Sequence, residues 1–215
     1  MGEKTTPRVR DAEATKADIL AAARIEFAKA GLSGARVDKI AEQSGANKRM
    51  IYYYFEGKEQ LFAAVIEDAY TNIRGREQAL HFDELEPIEA IDQLVRFTWE
   101  YYLAVPEFIT LVNSENLHLA KHVSGNKTLR KLQKNYVDTV AGILERGVAA
   151  GVFRPGLDAT QLCITIAAIG FYYLNNRHTG AALFGFSFTS KDALARRLEF
   201  NLDTIRRLVL VKPGP

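Results

Sequence analysis

The sequence predicts an all-α protein of about nine helices, and three observations lead to that prediction. Apolar residues recur at spacings of three and four through successive segments, which is the period of a helix with one buried face. Residues that begin or end helices, among them Pro87, Asp158 and Gly45, stand between these segments. No segment alternates apolar and polar residues over several positions, as a half-buried strand does.

The composition of the chain fits a folded protein. The 215 residues are 47% hydrophobic and 25% charged, which excludes disorder as the main state. The single cysteine, Cys163, excludes an internal disulfide framework and a cysteine-based zinc site. The longest nearly apolar run, residues 162–174, is shorter than the roughly 20 residues that a membrane span needs. The first residues lack the apolar core of a secretory signal, so we expect a cytoplasmic protein.

The first three predicted helices are separated by clear start and stop residues. Helix 1 begins at Thr15 as its N-cap and ends near Gly31. Helix 2 covers residues 37–44 and ends at Gly45, where a positive φ costs little. Asn47 is the expected N-cap of helix 3. Two short helices joined by so tight a turn are typical of a helix-turn-helix. The apolar face of helix 3 comprises Ile51, Tyr54 and Phe55.

Six longer helices are predicted in the remainder of the chain. Their expected positions are Lys58 to about Leu80, Pro87 to the residue before Pro106, Pro106 to about His122, a seventh helix carrying Leu129 to Leu144, an eighth from the cap Asp158 to about His178, and a ninth after the cap Ser190. Residues 179–189, which are rich in Phe and Gly, are predicted to form a loop.

The exposed side of helix 3 offers cations and phenols to a nucleic acid. A helix fits the major groove of B-DNA, and its N-terminal residues reach the base edges. Lys48 and Arg49 can donate to guanine O6 and N7, whereas Tyr52 and Tyr53 can contact phosphate or sugar. The formal net charge of +2 lies entirely within residues 1–60, which carry 11 basic and 9 acidic side chains. The residues predicted to contact DNA are Arg36, Val37, Lys39, Asn47, Lys48, Arg49, Met50, Tyr52, Tyr53 and Lys58. A solvated basic helix face is the alternative interpretation.

This stretch resembles the TetR family of bacterial transcriptional regulators. The matching positions are Val37, Ile40-Ala41, Gly45, Tyr52-Tyr53-Tyr54-Phe55 and Lys58-Glu59-Gln60-Leu61. Two positions depart from the family pattern. The family often has Ser or Thr just before the valine, where this chain has Ala35-Arg36, and it often has Ser as the recognition-helix cap, where this chain has Asn47.

The resemblance implies a homodimeric regulator, usually a repressor, that binds a palindromic operator. A small molecule would enter the C-terminal bundle and shift helix 4, which changes the spacing of the two DNA-binding domains. The corresponding division is a mobile arm over residues 1–14, a helix-turn-helix domain over 15–60, and a ligand-binding and dimerisation domain over 61–215. The fold class is therefore a TetR-like arrangement of two helical domains.

The C-terminal helices supply candidates for a ligand site and for a dimer interface. Aromatic and polar residues suit a medium-sized, mainly apolar effector with one or two polar groups. The candidate ligand residues are Phe97, Tyr101, Tyr102, Phe108, Glu115, His118, Phe171, Asn175 and His178. The eighth helix is apolar almost all round, so we expect it to pack with the ninth against a second subunit. The candidate interface residues are Leu162, Ile166, Ala167, Gly170, Leu174, Leu194, Leu198, Leu202 and Ile205.

Two other functions are compatible with the residues. Glu115, His118 and His122 share one helix face at spacings found in the carboxylate-bridged metal sites of helical bundles. A metal-binding helical protein, with His178 as a further ligand, is therefore the alternative to a DNA-binding regulator. A DNA-binding protein without an effector, or one that recruits a partner protein, is a third possibility. No phosphate-binding loop, nucleophile elbow or catalytic triad is found, so we expect neither an enzyme nor a cofactor.

Overall fold

The computed structural model describes residues 8–211, with side chains from residue 12 onwards, and it confirms the all-α class. Within this range the β-structure consists of one isolated bridge between Phe153 and Leu210. The helices are α1 (Arg8–Gly34), α2 (Val37–Ser44), α3 (Lys48–Phe55), α4 (Lys58–Gln78), the 3-10 helix Phe82–Glu84, α5 (Pro87–Ala104), α6 (Pro106–Leu117), α7 (Lys127–Ala149), α8 (Ala159–Asn175), α9 (Arg177–Phe184) and α10 (Lys191–Val209). None of these helices combines the length and the apolarity that a membrane crossing requires.

The chain forms two compact units. The first contains the described part of Met1–Tyr70 together with Thr110–Asn126, and the second contains Thr71–Ile109 and the described part of Lys127–Pro215. The boundary between the units falls within α4, within α6 and directly before α7. The end of α6 and the turn after it, which the sequence assigns to the C-terminal domain, therefore cluster with the helix-turn-helix.

The core of the first unit is built from the apolar stripes that the periodicity predicts. Ile19 and Phe27 of α1, Ile40 of α2 and Ile51 of α3 are fully buried. Phe62 of α4 meets Phe27 edge to face, with 5.0 Å between the ring centroids. Burial of these side chains, at roughly 1.5–3 kcal/mol each, fixes the short helices α2 and α3, which are too short to be stable alone.

The core of the second unit joins α5, α7, α8 and α10. Its fully buried members include Leu94, Val140, Phe153 and Ile205. The N-caps predicted for α8 and α10 are confirmed, because Asp158 Oδ1 accepts from Gln161 N at 3.1 Å and Ser190 Oγ accepts from Ala193 N at 3.3 Å. These caps satisfy backbone N–H groups that the first helical turn leaves unpaired.

Helix α1 begins earlier than predicted. It starts at Arg8, so the expectation that Thr15 is its N-cap was wrong. Residues 8–14 of the predicted arm form the first two turns of the helix, and residues 1–7 of that arm lie outside the described residues. The polar sequence of this stretch is compatible with an exposed helix as well as with an arm. At the other end, Gly31 breaks the helical conformation with φ 66°, as its residue type predicts.

Residues 179–189 are not simply a loop, because α9 covers Arg177–Phe184. The described chain therefore has ten α-helices rather than nine. Gly180, which suggested irregular structure, instead allows close packing. A Cβ at this position would lie 2.6 Å from the ring of Phe188, so the glycine permits the helix to rest on that ring. The break between α8 and α9 falls at Asn176.

Helix α8 is apolar on all sides, yet only one face of it is buried within the second unit. Most of the residues predicted for the dimer interface lie in the core of the protomer rather than on its surface. The buried ones are Leu162, Ile166, Gly170, Leu174, Leu202 and Ile205, whereas Ala167, Leu194 and Leu198 are half-buried. The exposed apolar side chains of α8 to α10 are Ile164, Tyr172, Leu183, Phe184 and Phe200.

Candidate nucleic-acid interface

The turn between α2 and α3 is fixed by local hydrogen bonds. Gly45 adopts φ 69°, a left-handed conformation that favours glycine. The Ser44 hydroxyl oxygen accepts from Ala46 N at 3.3 Å. Asn47 caps α3 as predicted, because its Oδ1 accepts from Met50 N at 3.0 Å. The orientation of α3 relative to α2 is therefore set before any DNA is bound.

The start of α2 is held by a residue that the sequence did not indicate. Glu26, in α1, is buried, and its Oε1 accepts from Arg36 N at 3.0 Å. The Arg36 side chain itself has no capping role and is exposed, as is that of Lys39. Val37 is half-buried. No local pattern links Glu26 to the N-cap of α2, ten residues later, so only the fold shows this contact.

Helix α3 separates its two faces sharply. Ile51 and Phe55 are buried in the core of the first unit. On the other side Tyr53 is 81% exposed and Tyr52 45% exposed. Arg49 is exposed, while the side chain of Met50 is half-buried. Because α3 carries its cations at the N-terminal end, the outward face has the make-up of a helix that reads a major groove.

Lys48 differs from Arg49 in having a partner. Its Nζ lies 2.8 Å from Asp38 Oδ1 in α2, and both side chains are exposed. The hydrogen bond and charge of Lys48 lower the pKa of Asp38, and the same contact raises the pKa of Lys48. Lys48 must therefore leave Asp38, or share it, in order to contact a base.

Lys58, predicted to bind a phosphate, already has partners within the first unit. Its Nζ donates to Ser33 O and to Ala35 O, each at 3.2 Å. Ser33 is in the last turn of α1 and Ala35 directly follows that helix, where backbone acceptors lack helical partners. Lys58 thus ties the start of α4 to the end of α1 and leaves at most one N–H for DNA.

Comparison with known proteins decides the family. The sequence pattern described as "Bacterial regulatory proteins, tetR family" matches residues 19–65, and that described as "Tetracyclin repressor-like, C-terminal domain" matches residues 87–205. The chain belongs to the TetR family of bacterial transcriptional regulators. The predicted family, its helix-turn-helix and its C-terminal helical domain are thereby confirmed, and TetR-family proteins are regulators rather than enzymes.

One similar sequence and two solved structures of the same fold each match most of the chain. The HTH-type transcriptional repressor NicS of Pseudomonas putida is 37% identical over 204 residues, which are 95% of this chain and 96% of NicS. The ketosteroid transcriptional regulator KstR2 of Mycobacterium tuberculosis shares the fold with a TM-score of 0.67 at 18% identity, over 92% of this chain and 95% of KstR2. FadR of Bacillus subtilis, solved with stearoyl-CoA, has a TM-score of 0.65 at 17% identity, over 88% of this chain and 97% of FadR.

The second unit of this TetR-family chain brings together five of the predicted ligand residues. Tyr102 stacks on Phe108 with 5.8 Å between the centroids, and it meets Phe171 edge-on at 6.3 Å. Tyr101 lies 5.7 Å from Phe108 and 6.0 Å from Phe97. Tyr101, Tyr102 and Phe108 are buried, whereas Phe97 and Phe171 are half-buried, and apolar contact among the five rings stabilises this cluster. Asn175 and His178 are exposed at the end of α8 and the start of α9, while Glu115 and His118 belong to the first unit.

The described side chains do not support the alternative of a metal site. Among residues 12–211, no group of three or more His, Cys, Asp or Glu side chains could hold a metal ion. Nδ1 of His118 lies 2.8 Å from Ser114 O, and the two ring nitrogens of His122 face Glu115 and Glu59. These three ring nitrogens already contact protein oxygens, and the family matches indicate a transcriptional regulator.

Proposed function

We propose that the chain is a transcriptional repressor that binds a palindromic operator as a homodimer and releases it when a small, mainly apolar molecule binds. It would act in the bacterial cytoplasm, where its operator lies. Residues 15–60 would contact DNA, and residues 61–215 would bind the effector and the second subunit. The name of NicS as a repressor supports the direction of regulation.

The exposed face of α3 is the observation that carries DNA binding. Arg49 stands free on that face, whereas the ammonium group of Lys48 is shared with Asp38. We therefore assign the main base contact to Arg49, because a guanidinium can donate two parallel hydrogen bonds to guanine O6 and N7. Arg36, Lys39 and Tyr52 are exposed, and we propose that they contact phosphates, which fix position without reading sequence.

Selection from a random duplex library tests this assignment. The purified full-length protein should enrich a motif with two inverted half-sites, because a two-fold dimer presents two identical α3 helices. Failure to enrich any sequence would reject specific DNA binding. Enrichment of a single half-site would reject the palindromic operator while keeping the regulator. Binding should weaken steeply with salt, since phosphate contacts release counterions.

The aromatic cluster of the second unit supports an effector with a large apolar surface. Tyr101, Tyr102 and Phe108 are buried, and the ring of Phe108 contacts both tyrosine rings. A ligand that entered this cluster would replace contacts between the rings with contacts between the rings and its own apolar surface. The names of the two structural relatives mention a ketosteroid and a fatty-acyl thioester, both with large apolar portions. These names support the chemical class of the effector.

Calorimetry with a panel of steroids, fatty-acyl thioesters and small aromatic acids tests the effector. An inducer must bind more tightly to the free protein than to the protein on its selected duplex, because coupling between the two sites is reciprocal. A compound with equal affinities in both titrations is not an inducer. If no member of the panel binds, the mainly apolar class is rejected.

The exposed apolar side chains of α8 to α10 support the dimer. Tyr172 is 66% exposed and Phe200 61% exposed, although each is a large hydrophobic residue. Clusters of such residues mark protein interfaces more often than isolated ones do. The interface would therefore be formed by the outward residues of these helices and not by the buried positions Leu162, Ile166 and Leu202. In this arrangement α8 and α10 of one subunit would pack against the same two helices of the second, which makes a four-helix interface.

A further inference from the structure

His122 lies between two carboxylates of the first unit. Its Nδ1 is 2.7 Å from Glu115 Oε2 in α6, and its Nε2 is 3.2 Å from Glu59 Oε2 in α4. The side chain of His122 is 5% exposed and that of Glu115 is 6% exposed, whereas that of Glu59 is half exposed. The histidine therefore connects two helices from a position that solvent scarcely reaches.

Only the doubly protonated ring satisfies both contacts. A carboxylate accepts hydrogen bonds, so each ring nitrogen must donate, and neutral imidazole has a single N–H. The bound Lys121 and His122 lower the pKa of Glu59, with Lys121 the larger cause, so Glu59 stays ionised near neutral pH. A neutral His122 would turn a lone pair towards one of the two carboxylates.

The charges around His122 balance only when it is protonated. Glu59 faces it from α4 and Glu115 from α6, while Lys121 and His118 belong to the turn after α6. Lys121 Nζ lies 2.5 Å from Glu59 Oε2, and so offsets one of the two carboxylates. The His122 imidazolium offsets the other.

Glu115 also shapes the turn that presents His122. Its Oε1 accepts from His122 N at 2.7 Å and from Val123 N at 3.1 Å. The same turn includes Leu119 and Ala120, with φ 56° and 58°, a conformation that costs non-glycine residues energy. The hydrogen bonds to Glu115 compensate for that cost, so the turn has a defined shape that holds the imidazole in place.

The contacts of His122 with Glu115 and Glu59, here called the His122 bridge, end next to α3, the helix proposed to read DNA. Glu59 is the second residue of α4, and only Glu56 and Gly57 separate α4 from Phe55, the last residue of α3. The side chain of Lys58 holds the same point to the end of α1. A contact that restrains the start of α4 therefore also restrains the direction of α3.

We propose that His122 is a positioning residue for operator binding, whose imidazolium ties the turn after α6 to the start of α4 and makes operator affinity fall as the pH rises. This inference rests on the DNA binding proposed above. Loss of the proton releases the start of α4. Part of the free energy of DNA binding must then be used to order α3 and α4, so the operator affinity falls.

The test is fluorescence anisotropy of the selected duplex with the full-length protein between about pH 6 and about pH 8 at constant ionic strength. We expect the Kd of the wild type to rise roughly tenfold over this range, as for a lost charge-assisted hydrogen bond. His122→Gln should bind weakly throughout with a flat profile, and Glu59→Gln should flatten it as well. His81→Asn is the matched control, because His81 is exposed in the second unit and asparagine tolerates its positive φ. It should keep the wild-type profile.

A flat wild-type profile, or a His122→Gln variant that keeps the wild-type slope, would overturn the proposal. Thermal unfolding supplies a measurement that needs no DNA. The wild type should exceed His122→Gln in melting temperature by more at about pH 6 than at about pH 8. If the protein binds no duplex at any pH, the proposed function fails. The difference in melting temperature between the wild type and His122→Gln still decides whether the His122 bridge exists. If that difference is the same at both pH values, the bridge is refuted.

Discussion

Gly147 in α7 lies directly beneath the ring of Phe153, so replacing it with alanine should destabilise the protein. A Cβ built at this position would lie 1.9 Å from Cδ2 and 2.4 Å from Cε2 of that ring. Phe153 is 1% exposed and belongs to the core of the second unit. The ring cannot yield by turning into solvent, so the helix and the residues after it must move apart.

The expected magnitude follows from two opposing effects. Alanine is favoured over glycine inside a helix by about 1 kcal/mol. Overpacking of a tight core costs about 1–3 kcal/mol, and expelling a buried phenylalanine costs about 3–5 kcal/mol. Because the contact is shorter than any real Cβ contact, the second effect should dominate, and we expect Gly147→Ala to lower the free energy of unfolding by about 2 kcal/mol.

Gly142 provides a matched control in the same helix. A Cβ there has no heavy atom within 4 Å, so Gly142→Ala should raise the free energy of unfolding by up to about 1 kcal/mol. Urea unfolding followed by circular dichroism measures both variants. The two substitutions should have opposite signs, and a Gly147→Ala protein as stable as Gly142→Ala would refute the reasoning.

A double-mutant cycle with Phe153→Ala locates the cause. If the clash with the ring is responsible, Gly147→Ala should cost little once the ring has been removed. An unchanged cost in the Phe153→Ala background would show that the destabilisation has another origin.

Three further predictions concern DNA, pH and assembly. Arg49→Ala should reduce specific operator binding by about tenfold or more, and Lys48→Ala should reduce it less because the Lys48 ammonium group is shared with Asp38. Fluorescence anisotropy with selected and scrambled duplexes measures both losses, and equal losses would contradict the assignment of the main base contact to Arg49. Burial raises the pKa of Glu77 to about 7, so the folded state loses stability as the pH rises from about 5 to about 7. Over that range the free energy of unfolding of Glu77→Gln should increase relative to the wild type by up to about 3 kcal/mol in urea unfolding, and a difference that does not change with pH would contradict this. Tyr172→Asp should convert a dimer into a monomer in light scattering, while Ile25→Asp, on the first unit, should leave the mass unchanged. A Tyr172→Asp protein that stays dimeric would move the interface elsewhere.

The helix-turn-helix could be predicted from the sequence because its determinants are local. Gly45 ends α2 and Asn47 caps α3 through contacts within three residues, and the buried pair Ile51 and Phe55 lies one helical turn apart. Such contacts form wherever the chain segment is placed. For the same reason the caps of α8 and α10 were predicted correctly. The start of α1 was not, because the polar stretch before Ile19 offers several possible cap residues, and Thr15 proved to lie inside the helix.

The tertiary structure alone decided which side chains meet across long separations. Nothing in the sequence pairs His122 with Glu59, 63 residues away, or Lys58 with the end of α1. Helix α8 is apolar almost all round, so its periodicity could not tell the core face of Leu162 from the outward face of Tyr172. Local interactions specify a helix within a window of a few residues, but the burial of each face depends on which other helices pack against it, and that is a property of the whole fold.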